Sequence, residues 1–306
     1  MRILLTGAAG QVGGALLPLL RDQHTVIALA RHEFDLSKPE SLAGKLEALK
    51  PDLIINPAAY TAVDKAEDEL ALAFLVNGDA PAALARWAAA HDVPMVHFST
   101  DYVFDGSGRN LWREDDPTGP LSAYGRSKLA GESAVRSAGG AHLVVRTAWV
   151  YAAQGANFMR TMIRLASERD SLRVVSDQWG TPTTARTIAS VLVEILGRGA
   201  DLSDVFARAN GLIHLTNSGS TSWHGFASAI VEGLRSRGVP LKATEVLPIA
   251  TKDYPTKATR PANSRLDLTR LKEAYGLVPP AWERALAEEL DAYLETVGAT
   301  PSAAGA

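Results

Sequence analysis

Two side chains near the middle of the chain have a spacing that suits proton transfer. Tyr124 and Lys128 begin and end the run YGRSK. If residues 123–135 form a helix, the two side chains lie on one face, about 6 Å apart at their Cβ atoms. An ammonium beside a phenol favours the phenolate, so we expect the pKa of Tyr124 to fall below its ordinary value of about 10. The pair is a candidate for proton transfer to a carbonyl oxygen, although this spacing also arises by chance in helices.

A third candidate lies upstream of this pair. Residues 95–99 are a predicted strand, and Thr100 follows at its C-terminal end. Its hydroxyl could donate to a carbonyl oxygen, or it could bond only to its own backbone. A polar loop rich in glycine and proline connects Thr100 to Tyr124 and is long enough to fold over a site.

The beginning of the chain has the order of elements that a phosphate site needs. Residues 2–6 form a predicted strand, a glycine-rich turn with Gly7, Gly10, Gln11 and Val12 follows, and residues 14–20 read as an apolar helix. Unpaired N–H groups at the helix N-terminus attract a pyrophosphate, and glycine allows the backbone to come close to it. This pattern predicts a dinucleotide site, the alternative being a turn that needs glycine only for tight packing.

The end of the second predicted strand indicates which dinucleotide binds. In NAD-binding folds an acidic residue at this point receives hydrogen bonds from the adenine ribose, whereas Arg31 stands here. A planar guanidinium suits a 2′-phosphate, so the sequence predicts that NADPH is preferred and that NADH is possible. Arg31 could equally be a solvated charge. Asp35 and Leu36 follow and could lie against the adenine.

The alternation of predicted elements indicates an α/β fold. Strands at 2–6, 25–30, 52–56, 95–99 and 142–147 alternate with helices, among them 39–49 and 74–92, which predicts a Rossmann-like doubly wound parallel sheet. The second half reads as helices 157–167, 184–196, 221–235 and 281–297 and strands 172–175 and 211–216. We expect it to form a smaller C-terminal α/β substrate lobe. The predicted division is 1–150 for the cofactor domain, 151–299 mainly for the lobe, with some segments able to return to the first domain, and 300–306 for a tail.

Composition narrows the range of partners. The chain has 306 residues and a net charge of −3, from 31 Lys and Arg against 34 Asp and Glu, so nothing indicates binding to nucleic acid or to an anionic membrane. It has no cysteine, which excludes disulfides and thiolate chemistry and fits a reducing, cytoplasmic location. We see neither a targeting segment nor an apolar run of the length of a membrane span. A small-molecule substrate is expected.

Seven motifs taken together resemble one family. They are, in chain order, GAAGQVGG from Gly7, NPAAYTAVDKAE from Asn56, FSTDYVFDG from Phe98, YGRSKLAGE from Tyr124, RTAWVY from Arg146, DQWGTPT from Asp177 and RPANSRLD from Arg260. The chain resembles the dTDP-4-dehydrorhamnose reductase family of the extended short-chain dehydrogenase/reductase superfamily. The resemblance implies reduction of the 4-keto group of dTDP-4-dehydro-L-rhamnose to dTDP-L-rhamnose, the last step in making that sugar donor.

The resemblance also implies roles for individual residues. Thr100 would hydrogen-bond the ketone oxygen, Tyr124 would donate the proton, and Lys128 would hold the nicotinamide ribose while lowering the pKa of Tyr124. Cofactor contacts would fall on Gly10, Gln11, Val12, Asp35, Leu36, Ala59, Tyr60, Thr61, Tyr124 and Lys128. Substrate contacts would fall on Thr100, Asp101, Tyr124, Trp149 and Arg260. Trp149 would offer a flat indole surface to the sugar or would instead be a core residue, and Arg260 would bind the diphosphate or would form a structural salt bridge.

Two departures from the family pattern and two alternatives remain. Arg31 replaces the acidic residue that some members carry, and Ala15 replaces a glutamate that in some members helps to bind magnesium at a dimer contact. We therefore expect no metal there, and the chain could be a monomer or a homodimer.

A related nucleotide-sugar epimerase or dehydratase would use the same Thr, Tyr and Lys but would return the hydride within one cycle. A non-catalytic regulatory subunit of the same fold is the other alternative.

Overall fold

A parallel β-sheet forms the centre of the computed structural model, which describes residues 1–298. The strands are β1 Arg2–Leu5, β2 Thr25–Ala28, β3 Leu53–Asn56, β4 Met95–Thr100, β5 His142–Thr147, β6 Val150–Tyr151, β7 Ser171–Val175, β8 Trp179–Gly180, β9 Thr183–Thr184, β10 Leu212–His214, β11 Thr221–Ser222 and β12 Glu245–Ile249. The central sheet has the order β10-β5-β4-β3-β1-β2, and every pair is parallel. The predicted doubly wound α/β fold is confirmed.

Helices cover both faces of this sheet. The α-helices are α1 Gln11–Arg21, α2 Leu42–Leu49, α3 Leu70–Phe74, α4 Ala80–Ala90, α5 Ala123–Ser137, α6 Phe158–Glu168, α7 Ala185–Leu196, α8 Leu202–Ala207, α9 Trp223–Ser236, α10 Thr269–Tyr275 and α11 Trp282–Gly298. Alternate residues of β1 show the two layers, because Ile3 and Leu5 pack with α1 and α7 while Leu4 packs with α2 and α4. Burial on both faces explains why these strands read as continuous apolar runs.

One predicted helix is interrupted at a position that matters for the site. Residues 74–92 were expected to form a single helix, whereas the chain forms α3, a π-helical turn over Leu75–Asp79, and then α4. The wider turn carries the fully buried side chain of Asn77. Periodicity alone does not reveal such a turn, since π-turns occur mostly as single insertions within α-helices.

Part of the second half belongs to the central sheet. The predicted strand over 211–216 was placed in the smaller lobe, but β10 pairs with β5 at the sheet edge, and α7 packs on α1. The reason is that β10 and α7 supply one more β-α crossover and bury the apolar face of the sheet. The other segments form three two-stranded sheets around a separate core of α6, α9 and α11. The division into domains stays a prediction, and the predicted tail 300–306 lies outside the described residues.

The strand order reverses between β1 and β3, and this point defines a crevice at the carboxyl ends of the strands. Open α/β sheets bind ligands in such a crevice. Three buried polar side chains cross it: Thr6 donates to Asn56 (Oγ1 to Oδ1, 2.6 Å), and the Asn56 amide lies 3.1 Å from Nδ1 of His97. Within residues 1–298, no helix is both long and apolar enough to span a bilayer.

Candidate active site at the carboxyl ends of the strands

The turn between β1 and α1 is built so that only glycine fits at its two tightest points. Gly7 has a φ of 58°, and a side chain there would lie 2.9 Å from Cα of Ala58, which follows β3. A side chain at Gly13 would overlap the carbonyl of Gly7. No side chain caps the N-terminus of α1, so its first N–H groups, beginning at Gln11 and Val12, have no partner within the helix. This is the arrangement that holds a diphosphate, so the turn fits a dinucleotide.

The segment after β2 presents an exposed arginine and an aspartate held by local hydrogen bonds. Arg31 is exposed, and its guanidinium has no hydrogen bond or ion pair among residues 1–298. Asp35 receives hydrogen bonds from the Ser37 backbone N–H (3.0 Å) and hydroxyl (2.7 Å), which lower the pKa of its carboxyl group. Leu36 is buried. Glu33, which was not singled out from the sequence, accepts the N–H of Ala30 at 2.8 Å, so its carboxylate is already engaged.

The loop that carries Ala59, Tyr60 and Thr61 is fixed by a buried amide. Oδ1 of Asn77 accepts the Tyr60 N–H at 2.8 Å, while its Nδ2 donates to the Tyr60 carbonyl and to Oγ of Ser127, both at 3.0 Å. Ser127 belongs to α5, so Asn77 ties this loop to the helix of Tyr124 and Lys128. The hydrogen-bond partners of Asn77 could not be read from the sequence. The Tyr60 hydroxyl donates to Glu69 at 2.6 Å, which raises the pKa of Tyr60 to about 12.

Three predicted residues meet at the end of β4. The Thr100 hydroxyl donates to Oδ1 of Asp101 at 2.9 Å and accepts the N–H of Tyr102 at 3.3 Å. The phenol of Tyr124, which α5 brings to this strand end, lies close to the Thr100 hydroxyl. Asp101 is buried beside the hydroxyl of Ser264, and burial raises the pKa of Asp101 to about 6.

The expected effect of Lys128 on Tyr124 is wrong for this structure. Burial raises the pKa of Tyr124 above its ordinary value, and the Asp101 carboxylate adds to this, while the hydrogen bond with Thr100 opposes it. Lys128 is not among the groups that shift this pKa. Its ammonium donates instead to the Phe98 carbonyl of β4 at 2.6 Å, and burial lowers the pKa of Lys128 to about 8. The helical spacing was predicted correctly, but it did not determine where the long lysine side chain ends.

Trp149 lies close to this cluster in a strained backbone conformation. It follows Thr147, which is the register partner of Thr100 in the sheet. Its φ is 48°, and a bulky residue in this region costs about 1–3 kcal/mol unless its surroundings hold it. Its indole stacks on Trp223 with ring centroids 3.5 Å apart and an interplanar angle of 9°. One indole face is therefore covered by a residue that the sequence did not indicate, since Trp149 and Trp223 are far apart in the chain.

Arg260 also reaches the site, but its guanidinium is already paired. Nη2 contacts Oδ2 of Asp64 at 2.6 Å, and Nη1 donates to the Tyr102 hydroxyl at 3.3 Å. The Tyr102 ring in turn meets Tyr124 edge to face, with centroids 5.6 Å apart. This is the salt-bridge alternative of the sequence analysis, and contact with a diphosphate would require Arg260 to share or leave Asp64.

The acidic and histidine residues of the described chain do not converge on a metal site. Within residues 1–298 no group of three or more His, Cys, Asp or Glu side chains is placed to hold an ion. Ala15, at the position where some relatives carry a glutamate, is a half-buried apolar residue of α1.

Comparisons with known proteins identify relatives of this chain in sequence and in fold. Residues 1–295 match the family model for the RmlD substrate binding domain. The dTDP-4-dehydrorhamnose reductase of Burkholderia thailandensis is 48% identical over 288 residues, covering 94% of this chain and 97% of the relative. A Clostridium acetobutylicum dTDP-4-dehydrorhamnose reductase structure superposes with a TM-score of 0.87 at 35% identity, covering 95% of this chain and 99% of the other.

A second solved structure bears on the cofactor. The Bacillus anthracis dTDP-4-dehydrorhamnose reductase, solved in complex with NADP, has a TM-score of 0.86 at 31% identity and covers 95% of this chain and 99% of its own. Similarity at this level extends over nearly the whole of each chain, so it includes both the central sheet and the smaller lobe. The chain therefore belongs to the dTDP-4-dehydrorhamnose reductase family.

Proposed function

We propose that this protein reduces the 4-keto group of dTDP-4-dehydro-L-rhamnose to give dTDP-L-rhamnose, with NADPH as the preferred reductant and NADH as a possible one. The observation that carries the proposal is the meeting of Thr100, Tyr124 and Lys128 at the end of β4. The glycine turn supports a dinucleotide beside them, and the NADP complex of the Bacillus anthracis relative supports its phosphorylated form. A cytoplasmic location and a monomeric or homodimeric state belong to the same proposal.

Tyr124 acts as the proton donor in this proposal. Burial and Asp101 raise the pKa of Tyr124, so the phenol carries its proton throughout the neutral range. It can still give this proton to the oxygen that gains negative charge, because an alkoxide is a stronger base than a phenolate. When bound, the reduced nicotinamide supplies a hydride to the carbonyl carbon. The Tyr124 and Thr100 hydroxyls lie close together, so that one ketone oxygen can contact both.

Thr100 and Asp101 act together. A hydroxyl has a single hydrogen to donate, and that of Thr100 is given to Asp101. A ketone oxygen competes for this hydrogen, so the Thr100 hydroxyl must turn from Asp101 toward the substrate. The hydroxyl of Ser264 lies close to the Asp101 carboxyl group, whose buried Oδ2 has no hydrogen-bond partner among residues 1–298.

Lys128 supplies a buried positive charge near the end of β4, the strand that carries Thr100. Its ammonium is anchored on the Phe98 carbonyl and retains two further N–H donors, which suit the hydroxyls of a nicotinamide ribose. With a pKa of about 8 it is mostly charged at neutral pH.

The proposal is tested by mixing purified protein with dTDP-4-dehydro-L-rhamnose and either NADPH or NADH and following the loss of reduced-nicotinamide absorbance. We expect stoichiometric oxidation and formation of dTDP-L-rhamnose, faster with NADPH. An epimerase or dehydratase would convert the sugar without net oxidation of the cofactor, and a non-catalytic subunit would leave both unchanged. Either result would contradict the proposal.

A further inference from the structure

Both faces of the Trp149 indole are covered. Trp223 lies parallel to one face at a centroid distance of 3.5 Å. A methyl group placed on Gly180 would lie 2.7 Å from both Cζ2 and Nε1 of Trp149 and closer still to Cε2 between them. Because the added methyl carbon would be almost equally far from three adjacent ring atoms, it would lie above the plane of the ring and not beside its edge. Its nearest atoms all belong to Trp149 and none to Trp223, so Gly180 covers the opposite face.

The edge of the same indole is not engaged. Trp149 is half-buried, and its Nε1–H has no hydrogen-bond partner among residues 1–298. Within residues 1–298, Nε1 of Trp87 donates to Glu47 at 2.7 Å and Nε1 of Trp112 donates to the Asn263 carbonyl at 3.0 Å. The Nε1–H groups of Trp179, Trp223 and Trp282 also have no hydrogen-bond partner in this described part of the chain, and that of Trp282 is buried. An indole clamped on both faces therefore offers a ligand its edge and one free donor, and not a flat surface.

This clamp is connected to the catalytic cluster through the backbone. Gly180 follows Trp179, whose carbonyl accepts the N–H of Ser264 at 2.7 Å, and the Ser264 hydroxyl faces Asp101. The same segment is also joined to Trp149 itself, because Thr183 donates its N–H to the Trp149 carbonyl at 3.1 Å. The left-handed φ of Trp149 turns the side chain away from the course of β5, and the stack holds it there.

We propose that Trp223 and Gly180 are positioning residues that clamp Trp149 on both faces, so that its Nε1–H edge donates a hydrogen bond to an oxygen of the sugar diphosphate. This inference rests on the proposed function for the identity of the ligand. The Trp223 ring covers one face of the Trp149 indole. Glycine is needed at position 180 because a side chain there would overlap the other face.

The clamp has a spectroscopic signature that needs no substrate. Two indoles stacked face to face couple their ultraviolet transitions, and they give a paired positive and negative band in circular dichroism when their in-plane transition moments are twisted relative to each other. We expect this couplet in the wild-type protein and its loss in Trp223→Leu and Trp149→Phe. Trp87→Phe is the matched control, because it also removes one tryptophan but one stacked on His91 and away from the pair, so the couplet should persist.

The kinetic readout separates positioning from general damage. Trp223→Leu, Gly180→Ala and Trp149→Phe should each raise KM for the nucleotide sugar about tenfold, equivalent to about 1.4 kcal/mol, with KM for NADPH changed by less than about twofold. Trp223→Phe keeps a stacked ring and should keep KM near the wild-type value. Gly44→Ala is the matched glycine control, since a side chain there meets no atom within 4 Å.

Several results would overturn the inference. A near-ultraviolet and far-ultraviolet circular dichroism spectrum that Trp223→Leu changes no more than Trp87→Phe does would show that the two indoles are not coupled, and a Trp223→Leu or Gly180→Ala variant with unchanged KM would show that clamping does not matter. A wild-type KM in Trp149→Phe removes the role of the N–H. If the protein shows the couplet but neither turns over nor binds dTDP-L-rhamnose, the proposed function and the assigned ligand fail together, while the couplet still shows the clamp to be formed.

Discussion

Replacement of Asn77 by alanine tests whether the loop of Tyr60 is held in place through helix α5. The side chain is fully buried and makes three hydrogen bonds, two to the Tyr60 backbone and one to Ser127. A net value of about 1 kcal/mol per bond gives a loss of about 3 kcal/mol, reduced to about 2–3 kcal/mol because the half-buried Tyr60 backbone can regain water. At about 2–4 °C per kcal/mol, Tm should fall by about 5–10 °C.

The same change should weaken cofactor binding. Without Asn77 the loop must be ordered when the dinucleotide binds, and an ordering cost on the order of 1 kcal/mol raises the Kd for NADPH about fivefold. Differential scanning fluorimetry and a fluorescence titration with NADPH measure the two effects. Asn110→Ala makes the same chemical change at an exposed position whose side chain forms no hydrogen bond within the described chain, so it should alter neither value. If Asn77→Ala keeps the Tm and Kd of the wild-type protein, the account of this loop is refuted.

Two further predictions concern the charges of the site. Arg31→Ala should raise the Kd for NADPH about tenfold and that for NADH by less than about twofold, since a charge-assisted contact at an exposed site contributes about 1–2 kcal/mol. Arg21→Ala, at the far end of α1, is the control. An unchanged ratio of the two dissociation constants would contradict the 2′-phosphate contact. Burial disfavours the charged form of Lys128 and lowers its pKa to about 8, so the ammonium is lost as the pH rises through about 8 and kcat/KM should fall above that pH. The kcat/KM of Lys128→Arg should stay constant to a higher pH than that of the wild-type protein, because the guanidinium keeps its charge. A wild-type kcat/KM that does not fall well above pH 8 would show that the ammonium is not needed.

The sequence was sufficient for the fold and for the positions of the reactive groups, because both depend on local patterns. Apolar runs such as Leu53–Asn56 report burial on both faces, and the spacing of Tyr124 and Lys128 follows from helix geometry. The strand β10 was found, but which of the later segments return to the central sheet was left open, since a three-residue strand carries no information about which sheet it joins.

Contacts between distant segments could not be predicted. The lengths of the Lys128 and Arg260 side chains allow several partners, and only the folded backbone determines that one meets Phe98 and the other Asp64. The clamp on Trp149 brings together residues from three segments that are far apart in the chain. The raised pKa of Tyr124 likewise depends on burial, which i,i+4 spacing does not report.

The central claim is that Tyr124 donates the proton that completes reduction of a 4-keto nucleotide sugar. Its most direct test compares the wild-type protein and Tyr124→Phe in NADPH oxidation with dTDP-4-dehydro-L-rhamnose, with NADPH affinity measured in parallel. We predict that the wild-type protein forms dTDP-L-rhamnose and that the variant, which lacks only the hydroxyl, loses at least about a hundredfold in kcat while binding NADPH normally. Near-wild-type turnover in Tyr124→Phe would contradict the claim.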